Sequence, residues 1–175
     1  MRSLAPVGIA LLVLVSCANT HNVVRAGGSS QTAVLAQGGR AYVAVSNDGR
    51  YGATVHSGSG AMTSQIVSAA FAPYMRNIVV GTKVEDFDQA LQSARAGGFA
   101  YLIYPQILAW EDRATEWSGR PDVASVKISI VGAKTGEVIE SAVINGKSGL
   151  ATLGGDKPQD LLPKPRSEYA SSLFK

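Results

Sequence analysis

The chain is poor in the residues that usually announce a chemistry. Cys17 is the only cysteine in 175 residues, so no intrachain disulfide can form. The only histidines are His21 and His56. No HExxH pair and no paired-cysteine spacing occurs, so the sequence carries no metal signature and implies no cofactor. No GxSxG turn exposes a nucleophilic serine, although Ser57 and Ser59 stand beside His56. Aromatics make up only 7% of the chain, which leaves the core to Val, Ile, Leu and Ala. Charge is sparse as well, at 17% of residues, with a formal net charge of +3. The basic residues are scattered, and no Lys/Arg stripe follows a phosphate backbone, so nothing points to nucleic acid. What remains is a 46% hydrophobic chain of a length that suits one folded domain.

No apolar run is long enough for a comfortable membrane span, which needs about 20 residues. The one run of note is Leu4 to Val15, interrupted by Pro6 and Gly8 and preceded by Arg2. That is the build of a secretory signal: a positive start, then a short apolar stretch. Leu14-Val15-Ser16-Cys17 follows and resembles the lipobox of bacterial lipoproteins. The resemblance implies a diacylglyceryl group on the Cys17 thiol, cleavage just before it, and acylation of the new amine. Two or more acyl chains anchor a protein stably where one does not. Loss of Arg2 with the signal lowers the net charge to +2, from 15 basic and 13 acidic residues. Ala18 follows the cysteine; by analogy with enteric lipoproteins, the absence of Asp there favours the outer membrane.

Residues 1–16 are thus expected to be a signal peptide, and residues 17–39 the lipidated cysteine with a flexible tether. The tether is rich in small and polar residues, and about 22 residues of coil would reach roughly 25 Å. Val34-Leu35 could pair as a short strand, which would order part of the tether. Residues 40–175 form the globular domain. Ala41–Ser46 reads as a strand, followed by the turn signal Asn47-Asp48-Gly49. Ala61–Met75 reads as a helix with Met62, Ile66, Ala70 and Tyr74 on one stripe, capped near Ser59 or Gly60 and frayed at Pro73. Asn77–Val80 is a short strand. Glu85–Ala96 is a helix with Phe87, Ala90, Leu91 and Ala94 on one face, acids at its start and Gly97-Gly98 at its end.

Phe99–Leu108 is apolar on both faces and reads as a central strand, with Pro105 marking a bulge or an end. Val123–Val131 alternates, Lys134–Glu137 turns, and Val138–Ile144 returns. A short helical turn at Pro158–Leu162 and a final helix at Ser167–Phe174 complete the chain. The expected class is α/β (α+β): one domain, a mixed sheet in the order β-α-β-α-β-β-β, packed helices and a C-terminal helix.

The densest polar-aromatic block is WEDRATEWSGRPD, from Trp110 to Asp122. Its candidate binding residues are Trp110, Glu111, Asp112, Arg113, Glu116, Trp117 and Arg120. Indoles stack on sugar rings and paired carboxylates serve glycoside hydrolysis. Hydrolysis, however, needs one carboxyl held protonated in an apolar pocket. The plainer reading has the tryptophans cover one end of the core and the arginines pair with neighbouring acids. TLGGDKPQDLLP, from Thr152 to Pro163, lacks the spacing and the Lys-Ser/Thr ending of a phosphate loop and reads as a rigid turn.

At WEDRATEWSGRPD the chain resembles a family of proteobacterial lipoproteins known only by a domain-of-unknown-function label. The likeness extends through AYVAVSNDGRYG, the helix from Ala61, YLIYPQILAWED and TLGGDKPQDLLP. It implies a lipidated envelope protein and no particular reaction. The element order also looks like that of envelope assembly lipoproteins, such as the curli secretion lipoprotein and the ring-forming lipoprotein of the Pel exporter.

The expectation is therefore a non-enzymatic accessory lipoprotein, lipid-anchored at the outer membrane and facing the periplasm. Its partners would be membrane lipid through Cys17, and an envelope protein or its own copies. The alternative is a domain that binds, or less readily cleaves, glycan or peptidoglycan.

Overall fold

A computed structural model describes residues 19–26, 35–112, 120–149 and 157–174. The strands are β1 (Thr20–Arg25), β2 (Arg40–Val45), β3 (Arg50–Tyr51), β4 (Thr54–Val55), β5 (Asn77–Val84), β6 (Tyr101–Glu111), β7 (Val123–Gly132) and β8 (Val138–Lys147). The helices are α1 (Ser59–Phe71), α2 (Phe87–Ala96) and α3 (Pro163–Ser172). Six strands form one mixed sheet in the order β1-β8-β7-β6-β2-β5, and β3-β4 form a separate small hairpin. β2 lies parallel to both β5 and β6, while the pairs β6-β7, β7-β8 and β8-β1 are antiparallel. The β-α-β-α-β-β-β order holds from β2 to β8, with the β3-β4 hairpin inserted before α1.

Helices cover both sides of the sheet, and this is why β2 is buried on both faces. On one face, Val43, Ile103, Val126, Ile128, Ile130 and Ile144 meet Val67 and Phe71 of α1 and Tyr169 of α3. On the other, Tyr42, Ala44, Leu102 and Val131 meet Ala90, Leu91 and Ala94 of α2. α3 is fastened to α1 by an aromatic contact, Phe71 meeting Tyr169 edge-on at 6.4 Å, and just beyond the two helix ends Tyr74 stacks on Phe174 at 4.7 Å. α2 begins with a capping box, in which Gln89 N–H donates to Asp86 Oδ1 at 2.9 Å and Asp86 N–H to Gln89 Oε1 at 3.2 Å.

Four expectations need correction. The tether read over residues 17–39 is not all coil: Thr20–Arg25 pair with β8 along their whole length. No pattern in Thr-His-Asn-Val-Val-Arg marks a strand; β8 supplies the ladder. The α1 stripe is displaced by one residue. Thr63, Ser64, Val67, Ala70 and Phe71 are buried, and Met62 is 44% exposed. Ser64 is accommodated inside by its bonds, since its hydroxyl accepts Ser46 N–H at 3.0 Å and donates to Gly60 O at 3.1 Å.

α1 is preceded by Gly58, in a left-handed conformation (φ 86°) with no side-chain cap. α3 starts at Pro163, four residues before the expected Ser167, because proline suits a first turn whose N–H groups have no helical partner. Pro105 lies inside β6 at little cost. Ile107 N–H points to Ser46 Oγ on the β2 side, and Pro105 nitrogen, two residues earlier, faces the same way. β2 pairs with β6 only as far as Ile103, so no ladder bond is lost there.

Candidate functional site

The Trp110–Asp122 block joins the end of β6 to the start of β7. Trp110 stands opposite Ala124 and Glu111 opposite Val123. The Trp110 indole is only 3% exposed and lies within the core cluster under α1 and α3. It offers no face for a sugar ring to stack on. Its tight packing fixes a neighbour too: a Cβ added at Gly49 would collide with the Trp110 side chain. Glu111 is half-buried, while Asp112 and Arg120 are exposed. Asp122 is fully buried, and its backbone clasps Ser148: Asp122 N–H donates to Ser148 Oγ at 2.8 Å and Ser148 N–H to Asp122 O at 3.0 Å. Cys17, Arg113, Glu116 and Trp117 lie outside the described residues.

Of the other sequence candidates, His21 and Ser59 take structural roles, while the His56 ring nitrogen Nε2 is buried with no partner among the described residues. His21, expected in the tether, sits on β1 with Nε2 3.1 Å from Glu168 Oε2 of α3. His56 is held through its backbone N–H to Gly49 O at 2.9 Å. Ser59 Oγ accepts Gly49 N–H at 2.8 Å. The β2-α1 loop is thereby stitched together by its own hydroxyls. Within TLGGDKPQDLLP, residues 150–156 lie outside the described residues. The remainder forms a 3-10 turn, Pro158–Leu161, with Lys157 N–H donating to Asp160 Oδ2 at 2.9 Å. Among the described residues, no group of three or more His, Cys, Asp or Glu is placed to hold a metal ion. No helix among them is long and apolar enough to cross a membrane.

Three polar clusters were not legible in the sequence. The first is Glu85, buried between β5 and α2. It accepts Tyr42 Oη at 2.5 Å and Ser93 Oγ at 2.6 Å. Burial, and then the Glu85 hydrogen bond, push the Tyr42 hydroxyl up to about 12. The second is Arg25 on β1. Its Nη2 donates to Ser172 Oγ at 2.6 Å, its Nη1 lies 3.4 Å from Glu140 Oε1, and its guanidinium sits over the Tyr169 ring. The third is Arg166 of α3, which is 0% exposed. None of its guanidinium nitrogens finds a hydrogen-bond partner among the described residues, and burial lowers its pKa to about 9. In sequence, Lys-Pro-Arg-Ser-Glu gives no sign of burial, and only the packing of α3 reveals the buried cation.

The family model described as domain of unknown function DUF4823 matches residues 33–173. The chain belongs to this family. No curated protein matches the DUF4823 chain in sequence. Solved structures do match its fold. The PelC dodecamer from Paraburkholderia phytofirmans is 17% identical, with a TM-score of 0.60 over 85% of this chain and 96% of that one. A second PelC dodecamer from that organism, a variant with one leucine replaced by methionine, is 15% identical, with a TM-score of 0.63 over 89% and 99%. Lipoprotein GNA1162 from Neisseria meningitidis is 12% identical, with a TM-score of 0.42 over 62% and 83%. At these identities the PelC likeness establishes a shared fold.

Proposed function

We propose that this DUF4823 protein is a non-enzymatic accessory lipoprotein of the bacterial envelope, acylated on Cys17 at the outer membrane, that works by associating with its own copies. The observation that carries the reading is the shared fold with a protein whose structures are dodecamers, over 85% of this chain. The site geometry supports it. Trp110 packs in the core, Ser59 Oγ accepts Gly49 N–H, and at the far end of the block Asp122 is held by its backbone bonds to Ser148.

Detergent-solubilised full-length protein is expected to appear as multimers by mass photometry. A strictly monomeric profile across the accessible concentrations would sink the self-association reading. Cys17→Ser is expected to move the protein from the membrane pellet to the soluble fraction after a carbonate wash; retention in the pellet would remove the lipid anchor.

A further inference from the structure

We propose that one end of the main sheet, the row Thr20, Lys147, Val123 and Glu111, stands against the phospholipid surface, with the strands directed away from it. The inference rests on acylation of Cys17 and goes further by fixing the pose of the domain.

The register defines the row. Thr20 lies opposite Lys147, Lys147 opposite Val123, and Val123 opposite Glu111, so four adjacent strands end together. With neighbouring strands about 4.8 Å apart, the row is about 14 Å long. The lipid-bearing residue is close to it. Cys17 precedes Thr20 by three residues, which span at most about 11 Å when fully extended. The slack is shorter still, because Gly149 N–H donates to Asn19 Oδ1 at 2.9 Å and fastens the chain one residue before β1. From Asn19 back to Cys17 the chain can reach about 7 Å. A domain on so short a lead cannot roll freely above the bilayer.

The opposite end of the sheet is far away. The turn between β7 and β8, carrying exposed Lys134, lies the length of β8 from Lys147, about 30 Å for a strand of that size.

The membrane-proximal end also holds Asp112 and Arg120, where the Trp110–Asp122 block leaves β6 and returns to β7. The two flanks of the most polar segment, Asp112 and Arg120, thus lie at the same end of the fold as the start of β1, to which the anchor leads. Beside them, across the paired strands β1, β8 and β7, lies a groove of about 330 Å³ lined by Asn22, Val123, Asn145 and Lys147, among others. The Lys147 ammonium there suits an anionic headgroup. Acids share the row, however, so the covalent lipid supplies the attachment and the row only sets the pose.

The test places a fluorophore on a new cysteine in the full-length acylated protein, the native thiol being occupied by lipid. Lys147→Cys and Asp112→Cys report the proposed near end, and Lys134→Cys the far end; all three positions are exposed. The proteins are reconstituted in vesicles of phosphatidylethanolamine and phosphatidylglycerol containing a headgroup-nitroxide lipid. Quenching several-fold stronger at both near-end labels than at Lys134→Cys is expected. Equal quenching at the two ends, or stronger quenching at Lys134→Cys, in protein that still floats with the vesicles overturns the pose and leaves the anchor standing. Failure of Cys17→Ser to release the protein overturns the anchor, and the pose with it.

Discussion

Arg166 shows how much one side chain can weigh. A guanidinium with no exposed surface and no hydrogen-bond partner among the described residues has given up its hydration without recovering it in bonds to them. The lowered pKa expresses this cost as a proton balance. The folded value, about 9, lies below the ordinary arginine range, so the unfolded chain holds the proton more tightly between the two. The contribution of this group therefore favours the fold above the unfolded value and is lost as pH falls through about 9. At neutral pH the buried charge works against folding. Arg166→Met keeps the length and apolar stem and removes the charge. It is expected to stabilise the domain at pH 7 by roughly 1–4 kcal/mol, read as a higher urea midpoint. A midpoint lowered by the substitution would mean that the guanidinium is satisfied.

At the level of elements, the clearest case is the start of α2. Asp86 accepts the Gln89 N–H that no helical carbonyl can reach. Asp86→Ala is expected to cost about 1 kcal/mol, measurable as a shift in thermal midpoint, while Asp86→Asn should cost less because an amide oxygen can still accept. This helix was readable in the sequence because its signals are local: acids at the start, an apolar face three and four residues apart, glycines at the end. β6 and the β7-β8 hairpin were readable for the same reason, through apolar continuity, alternation and a turn signal.

β1 was not readable, because its conformation is dictated by β8, more than a hundred residues away in sequence. The buried face of α1 was misjudged by one position, since a serine enters the core when a backbone N–H awaits it. The candidate block divides in the same way. Its character as a charged, aromatic connection was plain, but the burial of Trp110 depends on α1, α3 and the glycine at position 49, none of which periodicity could bring together.

For the whole molecule, the short lead between Cys17 and β1 matters most. A long tether would leave the domain free to meet partners at any angle and to work well above the bilayer. In the proposed pose, a sheet pinned by its end would offer its neighbours the same surfaces at the same height every time. This lowers the orientational cost of side-by-side contact between copies, because each arrives already upright. The multimers expected on self-association and the near-end quenching are then two views of one arrangement.

The outer strands of that sheet are β1 and β5, and they run in opposite directions. β5, β2, β6 and β8 point one way, and β7 and β1 the other. Two copies planted in the same attitude therefore bring an ascending border beside a descending one. That is the sense in which an antiparallel ladder forms, and no copy has to be inverted to make it. Such a joint would be heterologous, each molecule using one border to hold its neighbour and keeping the other for the next. Repeated with a small constant turn, it encloses a palisade on the membrane plane, and the number of staves is set by the angle between borders alone.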